Sequence, residues 1–284
     1  MKKPLIYAFA DEASTQMSGQ IAAMLRNGLQ GLEIRGVDGV NVSQIPVSKA
    51  KEVRCLLDDN GLSTWSIGSP IGKIRLEDNF ADHMEAFHHV LEVANILGAQ
   101  NIRMFSFYTE QQNANRNQVI DRLGALLDAA RGSGIVLCHE NEKGIYGDTA
   151  DRCLDLFQSL SELKGVFDPA NFVQCGEDTL QCWERLKEYI RYLHIKDALP
   201  DGNVVPAGKG EGNIAAIIAD YLVRGGREMT LEPHLAVFDG LQALEESGDV
   251  SVVGQRYAFA SAEEAFDAGC DALKAILSNK GYLL

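Results

Sequence analysis

The sequence predicts an α/β fold, and within that class a (β/α)8 TIM barrel. Eight strand-like segments alternate strictly with eight helix-like segments along the 284 residues. The mean repeat is 284/8, or about 36 residues, which suits a barrel of ~250 residues with insertions. A doubly wound open sheet is the alternative, but the first strand is followed by ADEAS, which lacks the glycines of a dinucleotide-binding turn. No Pro/Ser-rich linker divides the chain, so we expect one domain over residues 1–284.

The predicted strands are short apolar segments between turn signals. The first four cover residues 4–9, 31–35, 62–68 and 101–108, and the last four end at Glu140, Asp168, His194 and Glu232. A barrel explains why polar residues follow these strands, because barrel active sites lie at the carboxyl ends of the strands.

The predicted helices have apolar residues at three- and four-residue spacing. They cover residues 14–27, 48–59, 80–97, 116–131, 149–159, 179–188, 213–224 and 261–277. Gly98 predicts the end of the third helix. Asn213 predicts an N-cap for the seventh, and Ser-Ala-Glu-Glu from Ser261 predicts a capping box for the last.

Composition and charge indicate a globular protein of the cytoplasm. No apolar run approaches the ~18 to 20 residues that span a membrane. The apolar start from Leu5 to Ala10 is too short for a signal peptide, because Asp11 and Glu12 follow at once. The six cysteines form no CxxC pair, which favours reduced thiols. The formal net charge of -14 disfavours nucleic acid as a partner, since phosphate binding depends on clustered Lys and Arg.

Four apolar segments between Gly134 and His234 each end in a residue that can bind a metal ion. The residues are Glu140, Asp168, His194 and Glu232, and intervals of 28, 26 and 38 positions separate them. Each interval holds one helix-like segment, so the carboxyl ends of four parallel strands would lie side by side. One acidic residue at a strand end is usually a cap or a solvated loop residue. Four in register, with three carboxylates and an imidazole, predict a site for one divalent cation.

The chain resembles the xylose-isomerase-like barrel superfamily, above all its sugar phosphate isomerases/epimerases and ketose 3-epimerases. The resemblance rests on the segments GIVLCHEN, GVFDPAN, YLHIKD, AGKGEGNI and LEPH, in this order. It implies one divalent metal ion, with Mn²⁺ as the first choice and Mg²⁺, Co²⁺ or Zn²⁺ as the others, held by Glu140, Asp168, His194 and Glu232. It also implies that the two glutamates are the acid/base pair, and that the chain forms a homo-oligomer as many relatives do. Many relatives have a histidine where this chain has Asn171, which weighs against a second metal ion.

These residue types fit the movement of hydrogen between neighbouring carbons of a sugar. The reaction removes a C–H proton next to a carbonyl, and a cation at the carbonyl and hydroxyl oxygens stabilises the developing enediolate. Glu140 and Glu232 could lie on opposite sides of the substrate and exchange its proton. We therefore expect a metal-dependent isomerase or epimerase of a sugar, sugar phosphate or related keto-polyol.

Seven further residues are candidates for substrate contacts: Glu33, Trp65, Arg103, Asn171, Lys196, Lys209 and His234. Trp65 could stack on a sugar ring. Arg103 could contact a phosphate or carboxylate, and an ion pair inside the barrel is the alternative for it. Lys209 lies in the glycine-rich AGKGEG, which could approach a substrate oxygen or phosphate or could be a flexible loop. Asp197 is a candidate partner for the metal site.

Three other functions compete with this expectation. A dehydratase of a keto-polyol such as an inosose would use the same metal ion and the same proton abstraction. A DNA-repair endonuclease of the apurinic type shares the barrel, but its metal site is rich in histidine, and this acidic chain has only six histidines. A barrel that has lost activity and binds a ligand or a partner protein is the non-enzymatic alternative.

Overall fold

Eight parallel strands close into a barrel in the computed structural model, which describes residues 3–237 and 256–282. The strands are β1 (Leu5–Ala8), β2 (Gly31–Ile34), β3 (Ser63–Gly68), β4 (Asn101–Met104), β5 (Val136–Glu140), β6 (Lys164–Phe167), β7 (Ile190–Ile195) and β8 (Glu228–Leu231). They follow one another around the barrel in chain order, and β1 pairs with both β2 and β8. The predicted (β/α)8 fold is confirmed.

The described residues contain nine α-helices. They are α1 (Met17–Arg26), α2 (Val47–Asp59), α3 (Phe80–Leu97), α4 (Gln112–Ala130), α5 (Ala150–Ser159), α6 (Pro169–Gln174), α7 (Thr179–Leu186), α8 (Ile214–Val223) and α9 (Ala262–Asn279). No helix of the described residues is long and apolar enough to cross a membrane. The sequence pattern did not predict α6, because six residues are too few to show a helical period. Asp168 caps this helix by accepting a hydrogen bond from the Asn171 N–H, and Pro169 begins it.

The cap residues confirm the predicted C-terminus of α3 and the predicted N-cap of α9. The predicted N-cap of α8 is wrong. Gly98 has a φ of 69° at the end of α3, which is the left-handed conformation that glycine adopts readily. Ser261 accepts a hydrogen bond from the Glu264 N–H and so caps α9. Asn213 does not cap α8, because its side chain donates instead to the Thr179 hydroxyl and to a backbone carbonyl.

The strand predicted over residues 101–108 is shorter than expected and ends at Met104. The N–H groups of Phe105, Phe107 and Tyr108 donate to carbonyls of the loop that follows β3, not to a barrel strand. Phe107 also has a φ of 65°, which is incompatible with an extended strand. After Met104 the chain therefore no longer pairs with a barrel strand and instead hydrogen-bonds to the loop that follows β3.

Aromatic residues fill the amino-terminal end of the barrel interior. Tyr7 and Trp65 stack with a centroid distance of 5.2 Å, and Tyr192 packs edge-on against Trp65 at 5.7 Å. Cys138 and Val166 complete this layer. Because side chains alternate along a strand, the next inward positions on β5, β6 and β7 fall two residues later. Those positions are Glu140, Asp168 and His194, so a polar layer lies directly above an apolar one.

Candidate metal centre and active site

Four buried side chains converge at the carboxyl end of the barrel. Glu140 ends β5, Asp168 follows β6, His194 lies on β7 and Glu232 follows β8. One ligand atom from each residue lies within 4.8 Å of the others. The structure therefore brings together the four residues that the strand ends indicated.

His194 lies between carboxylates on both sides of its ring. Its Nδ1 atom is 3.0 Å from Glu140 Oε1 and 3.4 Å from Glu232 Oε2, while its Nε2 atom is 3.1 Å from Glu33 Oε2. The other Glu33 oxygen accepts a hydrogen bond of 2.8 Å from the Tyr192 hydroxyl. Nδ1 therefore faces the cluster, and Glu33 holds the ring from behind, as carboxylates commonly do for metal-binding histidines.

Each carboxylate of the cluster contacts a buried basic residue. Arg103 Nε lies 3.1 Å from Glu140, Lys196 Nζ lies 2.9 Å from Asp168, and Arg35 Nη1 lies 3.0 Å from Glu232. These three are the buried Lys and Arg residues of the described chain. The basic groups fix the carboxylates in place and reduce their mutual repulsion.

Carboxylates outnumber Lys and Arg side chains in this centre. Six carboxylates lie in the contact network against three such side chains; the acids are Asp11, Glu12, Glu33, Glu140, Asp168 and Glu232, and the bases are Arg35, Arg103 and Lys196. The donor set of three carboxylates and one imidazole fits a divalent cation.

The pKa values reflect burial and neighbouring charge. Burial raises the pKa of Asp168 to about 7, against the opposing charge of Lys196. Burial by itself would also raise the pKa of Glu140. The positive charges of His194 and Arg103 outweigh this effect and lower the pKa of Glu140 to about 2. The pKa of Glu232 is likewise lowered, because Lys196 and the nearby histidines outweigh its burial. Glu140 and Glu232 are therefore ionised at neutral pH and can accept a proton.

The xylose isomerase-like TIM barrel family matches residues 21–225. The chain belongs to this family. Solved structures with the same barrel include the IOLI protein with a bound zinc atom, with a TM-score of 0.74, 17% identity and 99% of both chains covered. D-allulose 3-epimerase from Methylomonas sp. has a TM-score of 0.73 and 16% identity over 97% of this chain and 99% of its own.

A third solved structure with the same barrel is the probable 3-DHS dehydratase AsbF from Bacillus anthracis. It has a TM-score of 0.71 and 16% identity over 95% of this chain and 98% of its own. No curated protein matches the sequence. At these identities the solved structures show the fold, while the ligands and reactions in their descriptions belong to those proteins.

Five of the seven candidate substrate residues lie beside the four-residue cluster, and the contacts of Glu33 and Arg103 are described above. The Asn171 amide nitrogen is 3.4 Å from Glu140 Oε1 and donates to the Asn141 carbonyl at 2.8 Å. Lys196 Nζ is also 3.4 Å from Glu232 Oε2. His234 Nε2 is 3.5 Å from Glu232 Oε1, and the residue has a φ of 45°.

Four of the seven have surroundings that differ from those expected for a substrate contact. Trp65 is 2% exposed in the aromatic layer below His194, so the structure corrects its expected role in sugar stacking. Arg103 forms the ion pair inside the barrel, and Glu33 contacts His194. The Lys209 side chain is exposed on its loop. The Asp197 carboxylate accepts hydrogen bonds from the backbone N–H groups of residues 198, 208, 210 and 212.

Sequence reasoning missed Asp11 and Glu12, and it identified Arg35 only as a weaker candidate at the end of the second strand. Arg35 pairs with both carboxylates of this acidic pair and lies over the Phe9 ring at 4.4 Å. Glu12 also accepts a hydrogen bond of 2.7 Å from the His234 N–H, and burial raises its pKa to about 8. Their positions in the sequence could have indicated them. Asp11 and Glu12 follow the carboxyl end of β1, and Arg35 follows that of β2, two residues beyond Glu33.

Proposed function

We propose that this protein is a divalent-metal-dependent isomerase or epimerase of a sugar, sugar phosphate or related keto-polyol. The observation that carries the proposal is the pair of buried, ionised glutamates, Glu140 and Glu232, in one cluster with Asp168 and His194. The description of a D-allulose 3-epimerase with the same fold supports it. We propose Mn²⁺ as the preferred ion, with Mg²⁺, Co²⁺ or Zn²⁺ as alternatives, and the cytoplasm as the place of action.

The two glutamates divide the proton transfer between them. Arg103 holds Glu140 and Arg35 holds Glu232, and β5 and β8 are three strands apart around the barrel. A substrate between them presents one face to each carboxylate. One glutamate takes the C–H proton next to the carbonyl, and return of a proton by the other from the opposite face inverts that carbon. Return to the neighbouring carbon would isomerise the sugar instead.

The remaining residues prepare the site for this transfer. Asp168 and His194, together with the two glutamates, would hold the metal ion. When bound, that ion supplies positive charge beside the oxygen on which negative charge develops. Lys196 Nζ lies between Asp168 and Glu232, where its N–H groups can also donate to a substrate oxygen.

Glu232→Gln tests the proton transfer. The variant keeps the volume of the side chain but has a far weaker base, so we expect exchange of a substrate C–H with deuterium from D2O to fall by about 10² or more. Nuclear magnetic resonance of ketoses follows the exchange, and circular dichroism checks the fold. Glu228→Gln, at the other end of the same strand, is the matched control and should exchange normally. Full exchange by the Glu232 variant would refute the mechanism.

Asp168→Ala tests the metal ion. Elemental mass spectrometry of the wild type after incubation with Mn²⁺ should find about one metal ion per chain. We expect the variant to lose it, because one of four ligands is gone and the positive charge of Lys196 is no longer balanced by its nearest carboxylate. A wild-type protein without metal under these conditions would contradict the metal-dependent mechanism and favour a barrel that only binds a ligand.

A dehydratase is the second candidate. The description of a probable dehydratase with the same fold favours it, as does the position of Lys196, whose ammonium lies beside Glu232 and could protonate a leaving hydroxyl. Abstraction of the proton would be the same, and water would then leave the neighbouring carbon. Mass spectrometry of the product separates the two candidates, because dehydration lowers the mass by one water and epimerisation leaves it unchanged.

A further inference from the structure

We propose that Phe9 is a positioning residue for the proton transfer, and that its ring fixes the two glutamates of the cluster through the arginines that hold them. This inference rests on the proposed function and concerns the same site. Three observations carry it: the side chains that the ring contacts, its complete burial and the space that Gly68 leaves for it.

The Phe9 ring contacts two arginines of the cluster. The guanidinium carbon of Arg35 lies 4.4 Å from the ring centroid, and that of Arg103 lies 5.5 Å from it. Arg35 Nη1 is 3.0 Å from Glu232 Oε1. Arg103 Nε is 3.1 Å from Glu140 Oε2. Because a guanidinium is attracted to an aromatic ring, one ring orients the partners of both proposed proton-transfer groups.

The same ring packs against the imidazole of the cluster. His194 meets Phe9 edge-on, with a centroid distance of 5.3 Å and an interplanar angle of 85°. Phe9 follows β1, while Arg103 lies on β4 and His194 on β7, so the ring contacts side chains from across the barrel. It therefore lies near the barrel axis. A change in the ring would reach three of the four proposed metal ligands.

Phe9 offers no surface to a substrate. The residue is 0% exposed, and its N–H donates to the Leu231 carbonyl at 3.1 Å, which extends the pairing of β1 with β8. Side chains alternate along a strand, so Phe9 points into the barrel as Tyr7 does two residues earlier. We therefore assign the ring to the placement of other side chains and not to contact with the sugar.

Gly68, at the end of β3, leaves the space that the ring needs. A Cβ atom at this position would lie 2.4 Å from Phe9 Cε1 and 3.2 Å from Arg103 Nη2. The ring would have to move, because non-bonded carbon atoms pack best at about 3.5–4.0 Å. Gly68 and Phe9 are therefore a matched pair, and substitution of either one should disturb the same arginines.

Crystal structures of the wild type and of Phe9→Leu test the placement without relying on turnover. Leucine stays apolar but lacks the ring, so we expect at least one arginine–glutamate pair to open beyond about 4 Å. Arg35 should move more than Arg103, because Arg103 also lies over the Phe105 ring at 4.6 Å. Phe9→Met is the second variant if Phe9→Leu does not fold. Pairs that stay closed would overturn the proposal.

The rate of deuterium exchange into ketoses measures the consequence. Misplacement of a reacting group by about 1 Å can cost about 10²-fold, so kcat of Phe9→Leu should fall by about 10- to 100-fold, with KM within about threefold. Phe87→Leu is the matched control, because Phe87 is equally buried but lies on α3 in the main hydrophobic core. It should unfold at a lower urea concentration with kcat unchanged. A higher KM for Phe9→Leu at unchanged kcat would make Phe9 a substrate contact and overturn the proposal.

The double variant Gly68→Ala/Phe9→Leu separates placement from a general loss of stability. Gly68→Ala alone displaces the ring and should lower kcat by about tenfold or more. Without the ring the added methyl group has room, so the double variant should be at least as fast as the slower single variant. Losses that simply multiply would overturn the proposal.

The crystal structures and the exchange assay also distinguish a failure of this inference from a failure of the proposed function. If the wild type exchanges no ketose but the pairs open in Phe9→Leu, the proposed function fails and the placement of the arginines by Phe9 stands. Exchange by the wild type together with closed pairs in the variant would do the reverse.

Discussion

Glu33 is the buried carboxylate that holds His194 from the side away from the metal cluster. It accepts from His194 Nε2 at 3.1 Å and from the Tyr192 hydroxyl at 2.8 Å. In Glu33→Gln the side chain keeps its volume but loses its charge, and only one of its two terminal atoms can still accept. One of the two donors, Nε2–H or the hydroxyl, then faces an NH2 group. His194 consequently loses a charged acceptor or changes its orientation.

The expected loss follows from the kinds of hydrogen bond involved. A hydrogen bond to a charged group contributes about 1.5–3 kcal/mol, against about 1 kcal/mol for a neutral pair. The difference of about 0.5–2 kcal/mol corresponds to a metal affinity that is about 2- to 30-fold weaker. This range overlaps the 10- to 100-fold loss that is typical when the partner of a metal-binding histidine is removed, so we expect about tenfold.

Competition with a chelating dye measures this affinity for Mn²⁺ or Zn²⁺, and the visible spectrum of bound Co²⁺ reports the geometry around His194. Tyr192→Phe is the matched control, because it removes the hydroxyl donor to Glu33 and leaves the carboxylate against His194. Its metal affinity should fall less. An affinity of Glu33→Gln within about twofold of the wild type, with the Co²⁺ spectrum unchanged, would refute the idea that Glu33 orients His194.

Two further predictions concern the loop and the stability of the fold. Asp197→Ala removes the acceptor for four backbone N–H groups, so trypsin should cut after the exposed Lys209 faster than in the wild type; equal cleavage rates would contradict the role of Asp197. Burial lowers the pKa of His83 from 6.5 to about 4, and its Nε2 accepts a hydrogen bond from the Gly72 N–H. The unfolded chain therefore takes up this proton first, and stability that is complete above pH 6.5 is lost as the pH falls towards 4. His83→Gln keeps an acceptor but does not titrate, so its free energy of urea unfolding should fall by about 2 kcal/mol less between neutral pH and about pH 5; an unchanged pH dependence would contradict this assignment.

The barrel, and the positions of the four proposed metal ligands along it, could be predicted from the order of the residues alone. Strict alternation of strand and helix leaves few architectures, and a polar residue after each of four consecutive apolar segments marks one end of a parallel sheet. Gly98 and Ser261 predicted helix ends correctly because those signals are local and need only neighbouring residues. The N-cap predicted at Asn213 was wrong because its side chain binds a residue 34 positions away, which no local pattern indicates.

The groups that surround the proposed ligands could be identified only in the folded chain. Arg35 and Glu232 are 197 residues apart, and Glu33 and His194 are 161 apart, so no local pattern connects them. The depth of a side chain in the barrel depends on how the strands are staggered, and this placed Trp65 in the aromatic layer below His194. The glycines of AGKGEG indicated a close backbone approach in the sequence. Only the folded chain shows that they approach Asp197, because the path of a loop depends on contacts that form after the barrel closes.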